Sequence, residues 1–183
     1  MERAIFITKT ENIRYVGLEY GRLYFGNEFC ERLIPSISDI KFIAEFIMQR
    51  KIDFTFVTPY VTNQGIDILR ALFEYISKNL PETEIVVNDW GVLKMLKDEF
   101  SFAKLSLGRL LTKQERDPRS VYLKNKVSFD MMEHFRGLYV DSLPVRDFLK
   151  GMGISRVELD NSLQGITRAD PLLNASLHFP FVF

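Results

Sequence analysis

Residues 38–57 read Ser38-Asp39-Ile40-Lys41-Phe42-Ile43-Ala44-Glu45-Phe46-Ile47-Met48-Gln49-Arg50-Lys51-Ile52-Asp53-Phe54-Thr55-Phe56-Val57, and the change of period inside this stretch decides the fold. Ile40, Ile43, Ala44 and Ile47 recur at i, i+3, i+4 and i+7, the apolar stripe of a helix that covers a sheet. Phe54 to Val57 then bring bulky and β-branched residues in a short run, the composition of a strand. A helix passing directly into a strand is half of a βα repeat. Ser38 is the expected N-cap, because its hydroxyl can accept a hydrogen bond from an unpaired amide of the first turn.

The same succession appears on both sides. Leu23 to Phe25 forms the first expected strand, and a second helix starts at Thr62 or Asn63, where Leu69, Leu72, Phe73 and Ile76 repeat the stripe. Pro81 closes that helical region. Glu84 to Val87 reads as the third strand, Val92 to Lys97 as a short helix and Ala103 to Leu107 as the fourth strand. The strand starts at 23, 54, 84 and 103 lie 31, 30 and 19 residues apart, spacings that suit parallel crossovers with one abbreviated helix. Past Gly108 the chain changes character. Lys113, Glu115, Arg116, Asp117 and Arg119 surround Pro118, so the region near 109–127 is expected to be an exposed, charged loop. A helix is expected over Ser128 to Arg136, and another over Val145 to Lys150, capped by Ser142 and ended by Gly151 and Gly153. Arg156 to Leu159 and Ala175 to His178 supply a fifth and a sixth strand. The expected fold is therefore α/β, parallel βα repeats with about six strands, in a single domain spanning 1–183.

Composition narrows the functional classes. The chain has 183 residues, 46% of them apolar and 26% charged, which excludes a disordered or collagenous chain. A domain of this length buries roughly 70% of its unfolded surface. Its 24 basic and 24 acidic side chains cancel, so no whole-molecule field draws it to nucleic acid or to an anionic membrane; only a local basic patch can do so. The run Ala4 to Ile7 is too brief for a signal-peptide core, and no stretch approaches the ~18 apolar residues of a membrane span. Cys30 is the single cysteine and cannot form an internal disulfide. The expectation is a cytoplasmic protein with no membrane partner. The terminal Phe179, Pro180, Phe181, Val182 and Phe183 are apolar enough that the fold, another subunit or further sequence should cover them.

Four blocks form an ordered series along the chain: Leu23-Tyr24-Phe25-Gly26-Asn27-Glu28-Phe29-Cys30, Val57-Thr58-Pro59-Tyr60-Val61-Thr62, Val86-Val87-Asn88-Asp89-Trp90-Gly91 and Gly108-Arg109-Leu110-Leu111-Thr112-Lys113-Gln114. Together they resemble the bacterial collagenase-like peptidase family, the U-type peptidases of unassigned mechanism. That superfamily includes subunits of oxygen-independent ubiquinone hydroxylases and RNA-hydroxylation factors. The resemblance spans roughly residues 23 to 183 and implies a TIM-barrel-like architecture. With about six strands where closure takes eight, this chain reads as an incomplete, shortened relative. The hydroxylase branch holds an iron-sulfur cluster through several cysteines in its later part, and none stands there in this chain. No iron-sulfur cluster is expected from this chain alone, and the identity of any other cofactor stays open.

In parallel α/β folds the loops leaving the C-terminal strand ends surround one depression. The resembling blocks fall in those loops. Asn27 and Glu28 follow the first strand, Tyr60 the second, Asn88 and Asp89 the third, Arg109, Lys113 and Gln114 the fourth, and Asp160 and Asn161 the fifth. Carboxylates there can act as acids or bases, amides can orient a substrate, and cations can hold an anionic one. Glu28 and Asp89 are the catalytic candidates; Asn27, Tyr60, Asn88, Arg109, Lys113, Gln114, Asp160 and Asn161 are the substrate-binding candidates, with no metal ligands among them. Each also has a plainer role open to it. Asp89 can cap the helix near Trp90, Asp160 and Asn161 can make a turn, and Glu28 can pair with Arg32 or Arg109. Cys30 can be an inert buried thiol, since no motif links His134 or His178 to it. The loop from Lys113 to Arg119 is the best candidate for a phosphate or an RNA backbone, against a simply solvated loop.

Two functional classes follow. One is an enzyme or enzyme subunit of the collagenase-like peptidase superfamily with a polar pocket at the strand ends, acting on a peptide, a small molecule or RNA. The other is a noncatalytic binding or assembly protein that pairs with a second copy or a partner subunit through its open sheet and aromatic C-terminus.

Overall fold

A computed structural model describes residues 1–116, 119–123, 126–169 and 173–180. Its elements are β1 (Ala4–Ile7), β2 (Arg22–Gly26), α1 (Ile37–Arg50), β3 (Asp53–Val57), α2 (Asn63–Asn79), β4 (Glu84–Val87), α3 (Trp90–Glu99), β5 (Lys104–Leu107), α4 (Ser120–Leu123), α5 (Phe129–Arg136), α6 (Leu143–Gly151), β6 (Ile154–Asp160) and β7 (Asn174–His178). Strand order in the parallel sheet is the order of the chain, β1 through β7, so the fold is α/β with βα repeats as the periodicity requires. The described strands number seven rather than about six. The added one is β1, four residues long and only partly covered, which pairs Ala4 with Arg22 and Ile7 with Phe25.

The chain divides into two compact units, Met1–Leu105 and Ser106–Phe183. In the first, the register Phe25↔Phe56↔Ile85 sets fully buried apolar side chains side by side on one face. The ring of Phe73 from α2 meets Phe56 edge-on, with centroids 6.0 Å apart. The stripe that α1 buries is the expected Ile40, Ile43, Ala44 and Ile47, but the helix begins earlier than the sequence suggests. Ser36, not Ser38, is the N-cap. Its hydroxyl accepts from the amide of Asp39 at 3.2 Å while the Asp39 carboxylate accepts from the Ser36 amide at 2.9 Å, a reciprocal capping box. Asp39 supplies the second half of that box and Ser38 has no such partner three residues on, which is why the cap falls two residues early.

The opposite face of the same strands is mixed. Phe6, Tyr24, Val57 and Val86 form a small apolar cluster there. Beside it the Arg22 guanidinium donates to Asp53 at 2.8 Å and to the Thr55 hydroxyl at 3.1 Å, and that hydroxyl lies 3.4 Å from a Glu84 carboxylate oxygen. Gly26 ends β2 at φ 140°, where a Cβ would sit 2.1 Å from the Val57 carbonyl oxygen. Glycine is required at that close approach.

In the second unit β6 pairs with β7 from Arg156↔Asn174 to Asp160↔His178. Val157 and Leu159 are buried, and Arg156, Glu158 and Asp160 take the alternate positions. Residues 161–169 carry no helix or strand and are fastened by side chains. Arg168 grips Asp141 through two bonds of 2.7 and 2.8 Å, Arg136 donates to the Gln164 carbonyl at 2.7 Å, and the Thr167 hydroxyl donates to Glu133 at 2.9 Å. Phe179 is exposed; Asp117, Pro118, Phe181, Val182 and Phe183, which the sequence assigns to a charged loop and an apolar tail, lie outside the described residues.

Candidate functional site

In the first unit the candidates follow β2, β3 and β4, and local hydrogen bonds hold Asn27 and Asp89. Asn27 accepts hydrogen bonds from the amides of Phe29 and Cys30, both at 2.9 Å, and so shapes the turn after β2. Glu28 is buried within that turn and Tyr60 is exposed. Asn88 is fully buried and donates through its amide to the Thr58 carbonyl at 2.9 Å, carrying the β3–β4 pairing past the strand ends. One oxygen of Asp89 accepts from the amides of Gly91 and Val92 at 2.7 and 3.1 Å, the capping role that its position before α3 allows.

The second unit brings its candidates into one network. Asp160, at the C-terminal end of β6, is 1% exposed. Its Oδ1 meets Arg109 Nη1 and its Oδ2 meets Arg116 Nε, each at 2.5 Å. Gln114 reads the backbone of the same residue twice, donating to its carbonyl at 2.9 Å and accepting from its amide at 2.8 Å. Arg116 also donates to the Arg109 carbonyl at 2.7 Å. The segment expected to be a solvated charged loop is thus docked onto β6 from Arg109 to Arg116. Lys113 stands at φ 49°, in the left-handed region, with its ammonium 5.9 Å from the centroid of Tyr139. The backbone amide of Asn161 donates to the His178 carbonyl at 3.3 Å.

Next to Asp160 on the same face lies a group that the strand-end argument does not single out. Glu158 is fully buried. It accepts a hydrogen bond from the Ser106 hydroxyl at 2.8 Å, lies 3.2 Å from Arg156 Nε and 2.8 Å from His178 Nε2. Burial is the largest single influence on its carboxyl and pushes the pKa up. The hydrogen bond from His178, the charges of Arg156 and His178 and the Ser106 hydroxyl together outweigh it, so the group is held below its ordinary value. A carboxylate accepts only, so the proton of this bond belongs to His178 Nε2, and in the neutral ring Nδ1 then carries the lone pair. A buried carboxylate that fixes the tautomer and tilt of an imidazole is the arrangement that makes histidine a competent proton-transfer group.

A signal for this group exists in the sequence. Arg156, Glu158 and Asp160 alternate with Val157 and Leu159, placing three charges on one face of a strand whose other face is core. Charges repeated with the strand period are costly to bury unless paired, so they mark a polar face. Among the described residues no group of three or more His, Cys, Asp or Glu side chains stands close enough to hold a metal ion, and no helix is long and apolar enough to cross a membrane.

No family model, curated protein or solved structure matches this chain.

Proposed function

We propose that this chain is an enzyme or enzyme subunit, of the collagenase-like peptidase type its sequence blocks resemble, whose chemistry is proton transfer at the C-terminal ends of β6 and β7. The observation that carries this reading is the Glu158–His178 pair. His178 is the acid or base, Glu158 is the positioning carboxylate, and Ser106 and Arg156 keep that carboxylate ionised and in place. Asp160, held by Arg109 and Arg116, ends the same strand in register with His178. The protein should be assayed against a panel of peptides, carboxylic esters and phosphate esters, with His178→Asn alongside. The expected result is turnover of one class that falls about 100-fold or more in the variant, the usual size of a general acid-base contribution. Turnover of none, or equal turnover in both proteins, refutes the reading.

A second reading is supported by β7. It is the last strand in sheet order, with β6 its one neighbour among the described residues, and Leu177 and Phe179 are exposed beside it. An edge of this kind can accept a strand from a second copy or a partner subunit.

A further inference from the structure

We propose that the loop from Gly108 to Arg116 seats an oxyanion group of a small substrate, a carboxylate or a phosphate, against the Arg116 guanidinium. The proposal rests on the proton-transfer reading above and names the class of molecule that His178 would act on.

The loop is held by its own hydrogen bonds. The Gly108 carbonyl accepts from the amides of Leu111 and Thr112 at 3.0 and 3.2 Å, and the buried Thr112 hydroxyl donates to the Arg109 carbonyl at 3.0 Å. Lys113 then takes a left-handed backbone that a non-glycine residue adopts only when its surroundings enforce it. The enforcement is visible one residue later, where Gln114 is clamped to the backbone of Asp160 by two hydrogen bonds. Past this point Gln114 and Arg116 both contact Asp160 at the end of β6.

Arg116 is placed but not used up. One of its terminal nitrogens donates to the Arg109 carbonyl. Its Nε lies 2.5 Å from Asp160 Oδ2, yet neither atom finds a hydrogen-bond partner there, so the contact is Coulombic and poorly aligned. Asp160 also shares its charge with Arg109. The Arg116 side chain stays 31% exposed beside a buried carboxylate, and its guanidinium is a planar, permanently charged fork. That fork matches the paired oxygens of a carboxylate or phosphate. Asp160 and His178 are register partners on adjacent strands, about 4.8 Å apart in the pairing direction. A molecule whose anionic end meets Arg116 would thus lie beside the strand pair that carries the imidazole. One group binds and the other moves a proton, a division of labour that small-molecule sites use commonly.

The test follows the Arg116 Nε–H resonance of the full chain by NMR while inorganic phosphate, or in a separate arm succinate, is added at constant ionic strength against a chloride control. A saturable shift in at least one arm supports the proposal, and the arm that responds identifies phosphate or carboxylate as the recognised group. Arg116→Gln should weaken the apparent affinity, read from backbone amides of the loop, by about tenfold, as loss of a charge-assisted bond does. No saturable shift with either anion, or an unchanged affinity in Arg116→Gln, overturns the proposal. The wild-type titration decides the matter even where the variant folds poorly. His178→Asn should retain anion binding and lose turnover; an anion that binds to a His178→Asn protein of full activity leaves the anion site standing and removes the proton-transfer reading alone.

Discussion

Glu158 gathers Ser106, Arg156 and His178 around one carboxylate at zero exposure, so its ionisation is linked to folding. Its folded-state pKa lies below the ordinary 4.5, which fixes the sign: the carboxylate stabilises the fold above about 4.5, and that contribution is lost as pH falls through the lower folded value. The urea midpoint of the wild-type protein should therefore fall as pH drops below 4.5. Glu158→Gln should be less stable by about 3 kcal/mol at neutral pH, the cost of breaking a buried charge pair, and its midpoint should show a shallower acid slope than wild type. Equal slopes in the two proteins would show that Glu158 does not carry the linkage. At this scale the sequence is only partly informative. Asp89 before Trp90 announces its capping bond because the donor amides lie two and three residues away. Glu158 meets partners 52 and 20 residues distant, and nothing local names them.

Elements were legible where apolar period and length agree. α1, α2 and β4 follow from stripes or runs that admit one reading, and β4 falls on the expected residues, Glu84–Val87. β1 is not legible as a strand in the sequence, because four residues with one buried side chain carry too little pattern, and pairing with β2 is what makes them a strand. The start of α1 shows the same limit on a finer scale. Ser36 and Ser38 are both plausible caps in sequence, and the reciprocal bonds with Asp39 select Ser36. Ser36→Ala should cost about 1 kcal/mol in chemical denaturation, whereas Ser38→Ala should fall within a few tenths. The opposite ranking would return the cap to Ser38.

On the scale of the molecule, balanced charge leaves association to local surfaces rather than to a net field. One such surface is β7, an edge strand of the described sheet, whose Leu177 is 44% exposed. If the binding reading holds, light scattering on the wild-type protein should give a mass above that of one chain, and Leu177→Lys should return it toward the monomer, since a lysine on an edge opposes strand addition. A wild-type monomer at every concentration tested would count against it.

What the sequence determined by itself was the class of fold: helical and strand periods alternate along the chain, and each is a local property that a stretch of a dozen residues expresses without its neighbours. Tertiary structure alone decided which polar side chains meet. The docking of Arg109, Gln114 and Arg116 onto Asp160, and of Ser106 and His178 onto Glu158, joins residues some 20 to 50 positions apart. Hydrogen bonds and ion pairs act over a few ångströms of space, and distance along the chain does not reveal which groups folding will bring within that range.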